Sequence, residues 1–341
     1  MPAVGDLMTT YIIRRIWLIF PILFIITIVN FGLMHLAPGD PTQFMLPPDI
    51  AFEHIEITID GHGYKYEAKE GYEDYLKEKL GLDKPIHVQY LRWLWNLSQG
   101  NFGRSMIDQA DVFEEMVRRL PVTLRLTVTS LAVSLVVGLG LGILSALFQY
   151  SLFDVVTTVI SFLFLSLPGF FFLLLAIWVF ALQLNWLPAS GMYSVGGDRG
   201  LWDSLKHMIL PVAVLGLGGS AGFIRFARTS MLEVMGEDYV RTAQAKGLPE
   251  RVVIMRHAFR NALMPIVTII SYRLPALFAG SVLVERLANW PGIGRWVLDA
   301  ALSKDYPVMM ANVIVIAILT LIANLIADIA YAFVDPRIAY K

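Results

Sequence analysis

The sequence predicts an all-α polytopic membrane protein with six transmembrane helices, both termini cytoplasmic, and a small extracytoplasmic subdomain. Three observations lead there. The 341 residues are 56% hydrophobic and only 16% charged, where soluble domains average about 25% charged. The apolar residues fall in long blocks, and about 20 residues of helix cross a bilayer core of roughly 30 Å. The cations concentrate in one loop and the carboxylates in another, which fixes an orientation. Formal net charge is −1, from 27 Lys and Arg against 28 Asp and Glu, so there is no overall basic field for nucleic acid. The absence of cysteine excludes disulfides, thiolate metal sites and cysteine nucleophiles.

The six predicted spans are residues 16–36, 121–148, 155–182, 207–226, 262–284 and 308–333. The first is too long for a signal-peptide core and has no small-residue cleavage site, so it reads as a retained anchor; Arg14 and Arg15 before it fit a cytoplasmic start. Between the first two spans, Asp40, Asp49, Glu53, Glu56, Asp60, Glu67, Glu70, Glu73 and Asp74 make the segment acidic, hence external. Within it Ile55, Ile57 and Ile59 alternate with polar residues, the turn Asp60-Gly61-His62-Gly63 follows, and Tyr64 and Tyr66 alternate again, which reads as a β-hairpin. Residues 73–95 read as short amphipathic helices broken near Gly81 and Pro85, with Trp93 and Trp95 suited to a membrane interface. This segment is either a cap over the bundle mouth or a docking surface for an external partner. Between the fourth and fifth spans, Arg225, Arg228, Arg241, Lys246, Arg251, Arg256 and Arg260 outnumber the acids, so that loop is cytoplasmic. The division is residues 1–36, 37–120 and 121–341, with the basic loop at 229–261.

Catalytic groupings are missing. No glycine-rich GxxxxGK(S/T) phosphate loop or HExxH pair occurs, and the one GxSxG match, Gly218-Gly219-Ser220-Ala221-Gly222, lies inside an apolar span and not at the strand-to-helix turn that a nucleophile elbow needs. The only carboxylates assigned to spans are Asp154, at a boundary, and Asp328, late in the last span. An ion-driven carrier needs a titratable carboxylate deep in the membrane, so a secondary carrier is the weaker alternative and the energy is expected from another chain. No catalytic or metal-ligating residue is assigned.

The basic loop is the most informative stretch. Glu237 and Asp238 place negative charge at a helix start, Lys246 and Gly247 supply a cation and a left-handed cap at its end, and Pro249 suits the first turn of a second helix. Small Ala243 and Ala245 permit close approach by another surface. Such a helical hairpin fits a groove on a cytoplasmic partner; from charge alone a solvated connector is the better reading.

The runs Asp238-Tyr239-Val240-Arg241-Thr242-Ala243-Gln244-Ala245-Lys246-Gly247 and Arg256-His257-Ala258-Phe259-Arg260-Asn261-Ala262-Leu263-Met264-Pro265 resemble the coupling loop of bacterial ABC importer permeases of the dipeptide/oligopeptide (and nickel) type. Arg241-Thr242-Ala243 departs from the generic Glu-Ala-Ala pattern as the peptide branch does. Further matches are Ala37-Pro38-Gly39-Asp40-Pro41, Gly81-Leu82-Asp83-Lys84-Pro85 with Gln89-Tyr90, Trp186-Leu187-Pro188-Ala189-Ser190-Gly191, Trp290-Pro291-Gly292-Ile293-Gly294-Arg295, Asp305-Tyr306-Pro307 and Asp335-Pro336-Arg337. Their order is similar to the first of the family's two permease types, the one with a large extracytoplasmic segment; the hairpin is not part of that pattern.

The resemblance implies the type I ABC importer permease fold in the plasma membrane and alternating access. It also implies a homologous second permease, two cytoplasmic ATPases, an extracytoplasmic substrate-binding protein, a peptide substrate and a lipid surround. ATP and Mg would be bound by the ATPases, with no cofactor in this chain. Tyr239, Val240, Arg241, Thr242, Ala243, Gln244, Ala245, Lys246 and Gly247 would contact an ATPase. Nickel chelates, glutathione and oligosaccharides are the alternative substrates of such relatives.

Arg273, mid-span, and Pro275, which lacks an amide donor, mark an interrupted charged helix suited to the translocation pathway. Arg273 either lines the pore or pairs with an acid of the partner permease. Arg125 can snorkel to the outer interface. Asn324 and Asp328 share one side of the last helix. Gly138, Gly140, Gly142, Gly216, Gly218, Gly219 and Gly222 read as packing residues. Pro168-Gly169 is a hinge or a kink.

Overall fold

The computed structural model describes residues 4–36, 55–59, 62–66, 83–197, 199–259, 262 and 281–334. Among them four helices are long and apolar enough to cross a membrane, or five if one bent pair is counted as a span. Two compact units divide the described residues. One lies within Met1–Phe20, Arg119–Trp296 and Ile318–Lys341, the other within Pro21–Arg118 and Val297–Ala317.

The elements in chain order are α1 (Val4–Leu36), β1 (Ile55–Ile59), β2 (His62–Tyr66), α2 (Ile86–Ser98), α3 (Val112–Leu147), α4 (Leu152–Ser166), α5 (Gly169–Ala176) continuing in a π-helical turn to Gln183, and α6 (Leu201–Met235). The short α7 (Asp238–Ala245) and α8 (Glu250–Val252) follow, α8 running on in π geometry to Phe259. Residues 281–287 are helical, and α9 (Ile293–Leu302) and α10 (Tyr306–Val334) close the chain. The long helices begin earlier or end later than the apolar blocks, because a helix stops at a breaker or a cap and not where hydropathy falls. α6 accordingly runs past the predicted end at Phe226 to Gly236.

In the first unit α6 is the innermost helix, with 67% of its apolar window buried. Glycines on both helices let α3 and α6 approach each other. A Cβ at Gly142 would lie 2.7 Å from Ala227 Cβ and from the Ile224 carbonyl, and one at Gly216 would lie 2.7 Å from Val133 Cγ1. Small residues are how helices pack where lipid supplies no hydrophobic drive. Ser134 Oγ adds a hydrogen bond to the Gly216 carbonyl at 2.8 Å. The packing reading fails for Gly140 and Gly218, which have no such neighbour within 4 Å. They lie on other faces, since Gly138 and Gly142 are one turn apart and Gly140 falls between.

The third predicted span is not continuous. α4 and α5 are bent by 104° at Leu167-Pro168. Leu167 is extended, with φ −105° and ψ 142°, as the residue before a proline is pushed to be. Pro168 then caps α5 and cannot donate the amide a continuous helix needs. The kink-or-hinge alternative therefore resolves to a full break. Of the fifth span only residue 262 and its end from 281 are described; Arg273 and Pro275 lie outside the described residues.

In the second unit α2 packs on the later half of α1. The Phe31 ring meets Tyr90 at 5.4 Å and Trp93 at 5.7 Å, the Tyr90 and Thr27 hydroxyls are 2.9 Å apart, and His35 Nε2 lies 3.0 Å from Gln89 Oε1. Of the two predicted interfacial tryptophans, Trp93 packs and Trp95 is exposed. Asp305 gathers the loop before α3. Ser105 Oγ donates to Oδ2 at 2.5 Å and the Met106 amide to Oδ1 at 3.1 Å. Asn30 Nδ2 donates to the Met310 carbonyl at 3.0 Å. The matched pairs Gln89-Tyr90 and Asp305-Tyr306 are thus joints of this unit.

The predicted hairpin is present, antiparallel with Ile57 opposite Tyr64. Ile59 pairs with His62, so His62 and Gly63 belong to β2 and not to the predicted turn; Asp60 and Gly61 lie outside the described residues.

Candidate functional site

The loop after α6 folds as two short helices mounted on the bundle. Glu237 is extended and precedes α7, placing its own carboxylate and that of Asp238 at the helix's positive end. At the other end the Gly247 amide bonds the Gln244 carbonyl at 2.9 Å and the Leu248 amide reaches the Ala243 carbonyl at 3.4 Å. With Gly247 at φ +74°, this is a Schellman cap, which glycine forms without strain. Pro249 sits one position ahead of its expected place and caps α8 from outside.

The hairpin is held by its apolar side. Val240 and Ala243, three residues apart on α7, are buried with Val253 against Val234 of α6. Ala258 and Ala262 are buried with Ala146 of α3 and Met231 of α6. Hence, of the nine residues singled out in the sequence, Val240 and Ala243 face inward, and Tyr239, Arg241, Thr242, Gln244, Ala245, Lys246 and Gly247 are exposed. Ala243 is therefore not a surface for another chain; only Ala245 of the small pair remains outside. The Arg241–Asp238 contact on this face, at 4.0 Å between highly exposed side chains, contributes little to stability.

An ion pair that the sequence reading missed lies close by. Asp154 on α4 receives Arg228 of α6 in bidentate fashion, Nε to Oδ1 at 2.7 Å and Nη2 to Oδ2 at 2.8 Å. Ser145 Oγ of α3 also donates to Oδ1, and the Tyr150 amide donates to Oδ2 at 3.0 Å. The Asp154 side chain is 6% exposed and that of Arg228 26%. The signal was Ser151-x-x-Asp154 ahead of an apolar run, a capping-box pattern; the Ser151 hydroxyl does accept the Asp154 amide, at 3.3 Å.

At the other end of the same unit Glu285 is fully buried. It lies one residue beyond the predicted fifth span and so is not among the span carboxylates. Its Oε2 accepts the Arg295 amide at 3.0 Å, in the first turn of α9, where the helix's unpaired amides favour an anion. Oε1 has no hydrogen-bond partner among the described residues. The Trp290–Arg295 run builds the cradle. The Trp290 indole donates to the Val122 carbonyl at 3.1 Å and the Ile293 amide to Thr123 Oγ1 at 2.8 Å. A Cβ at Gly294 would lie 2.8 Å from Val282 Cα and 2.9 Å from Glu285 Oε2, so both the helix and the carboxylate need that glycine.

A cavity of about 400 Å³ opens at the break in the third span, lined by Leu131, Ser134, Phe164, Gly169, Gly218 and Phe223 among others. Apart from Ser134 its described lining is apolar. Elsewhere Arg125 and Asn324 are exposed; the Asp328 side chain is not described.

Two family models cover almost the whole chain. Residues 8–127 match the N-terminal part, and residues 138–340 the main part, of the binding-protein-dependent transport system inner membrane component. The chain is 41% identical over 334 residues to the oligopeptide transport system permease protein AppB of Bacillus subtilis, covering 98% of this chain and all of that one. It is 36% identical over 355 residues to the dipeptide transport system permease protein DppB of Escherichia coli K12, covering 98% and 100%. It is 34% identical over 334 residues to the glutathione transport system permease protein GsiC of an avian-pathogenic E. coli, again covering 98% and 100%. Such permeases are multi-pass membrane subunits and not enzymes. The chain belongs to the family of inner-membrane components of binding-protein-dependent transport systems.

Proposed function

We propose that this chain is the pore-forming permease of an ATP-driven peptide importer. The observation that carries the reading is the end-to-end match to relatives named as oligopeptide and dipeptide permeases. The chain works by alternating access beside a homologous second permease, with two cytoplasmic ATPases and an external binding protein. ATP and Mg are handled by the ATPases. Six helices span the membrane with both termini cytoplasmic, the hairpin α7–α8 facing inward.

The exposed face of α7, Tyr239, Arg241, Thr242, Gln244, Ala245, Lys246 and Gly247, takes the ATPase contact, while Val240 and Ala243 tie that helix to the bundle. A ligand or partner shifts a two-state protein only through contacts that differ between the states, and a helix pinned on one face and bare on the other meets that need. Arg273 and Pro275 are assigned to the translocation pathway.

A second substrate reading, glutathione, is favoured by the relative named for it; glutathione is itself a small peptide. A proton-coupled carrier is disfavoured because, among the described residues, the buried carboxylates Asp154 and Glu285 already hold structural donors, Asp154 an arginine and Glu285 a main-chain amide. The test is uptake into proteoliposomes holding the complete importer. Labelled di- and oligopeptides should accumulate only with ATP and loaded binding protein. Accumulation driven by a proton gradient without ATPases overturns the reading.

A further inference from the structure

A buried ion pair in a membrane bundle is costly to desolvate and calls for a reason. Asp154–Arg228 joins α4 to α6 and, through Ser145, to α3. It lies at the floor on which the α7–α8 hairpin rests. Ala146, next to Ser145, and Met231, one turn beyond Arg228, are buried with Ala258 of the hairpin and with Ala262, the first residue of the predicted fifth span. Among the described residues α4 contributes none to that apolar cluster; besides its packing along α6, the ion pair is its polar tie at this end.

The other half of the broken span is anchored elsewhere. Leu173 of α5 and Ala181 of the following π turn are buried with Leu210 and Val214, toward the opposite end of α6. Between the two anchorages stand the 104° bend and the cavity lined by Phe164, Pro168 and Gly169.

We propose that Asp154 and Arg228 are positioning residues that make α4 travel with α3, α6 and the hairpin as one body. Displacement of the hairpin is thereby delivered to the break at Leu167-Pro168, reshaping the cavity beside it. The ionic tie transmits what slippage of α4 would otherwise dissipate. The proposal rests on the reading of the hairpin as the ATPase contact.

The experiment uses the complete importer in proteoliposomes and reads peptide transported per ATP hydrolysed. Asp154→Asn and Arg228→Gln should each lower that ratio about tenfold, a coupling loss of ordinary allosteric size, while hydrolysis persists. The exchange D154R/R228D should recover part of it. A ratio equal to that of the unaltered importer in Asp154→Asn overturns the proposal. Because the chain has no cysteine, a second measurement needs neither ionic variant. Spin labels at exposed Val159 of α4 and Phe226 of α6 should keep their separation within ~2 Å, the scale of a helix shift, in the nucleotide-free and ATP-bound states. A larger change shows that α4 moves independently and overturns the proposal even if the ionic variants fail to assemble. Cross-linking from Arg241→Cys separates the two readings. No link to an ATPase removes the hairpin reading and this proposal with it, whereas a link with an unchanged transport ratio removes this proposal alone.

Discussion

Asp154 and Glu285 are both buried carboxylates of one helical unit, and the way each is satisfied differs. Asp154 is held by a side chain from another helix, an arginine with a quarter of its surface still exposed. Glu285 is fully buried and held by the main chain of α9, in a cradle that only glycine allows. A bond between long side chains tolerates adjustment between helices, while a bond to a helix's first turn fixes a loop outright. The difference teaches that the hairpin end of the unit is joined by side chains across three helices, while the Trp290–Arg295 end is fixed by main-chain bonds within one cradle.

The strongest challenge to that contrast is Glu285→Ala. It leaves buried donors of α9 without their acceptor and should cost about 3–5 kcal/mol, as breaking a buried polar pair does, read as thermal unfolding of the purified complex. A shift no larger than that of Asp154→Asn would erase the distinction. Next comes Gly294→Ala, which drives a methyl against Val282 and the Glu285 carboxylate and should cost about 2–3 kcal/mol by overpacking. Gly140→Ala is its control, since nothing stands within 4 Å there, and helix propensity predicts a gain of about 0.5–1 kcal/mol. Asp154→Asn should cost about 1–2 kcal/mol, less than the loss at Glu285, because the partly exposed Arg228 can rehydrate. Smallest is Arg241→Ala on the outer face of α7, within about 0.5 kcal/mol in stability yet with ATP-driven uptake clearly reduced.

Much of this was legible in the sequence. Long apolar blocks gave α1, α3, α6 and α10, because a helix in lipid must be apolar along its length. Strict alternation gave the hairpin strands, and Lys246-Gly247 gave the cap of α7. The break at Leu167-Pro168 was marked but not its size, since a proline shows where a helix loses a bond and not how far the next one turns. Glu285 escaped because hydropathy counts a glutamate as a span end, whereas here it is buried by a cradle of glycines further along the chain. Arg228 was read as a loop cation; only the extension of α6 to Met235 brings it opposite Asp154. On α7, the inward turn of Ala243 depended on a cluster with Val234 and Val253 that lies on neighbouring elements.

The central claim is that α7 receives the force of ATP binding on the cytoplasmic side, and one measurement addresses it directly. A single cysteine replacing Arg241, in a chain that has none of its own, should cross-link to an ATPase subunit in native membranes, with a yield that changes when ATP is bound. Labelling of the same cysteine in intact cells by a membrane-impermeant thiol reagent, with no cross-link to an ATPase, would contradict the account.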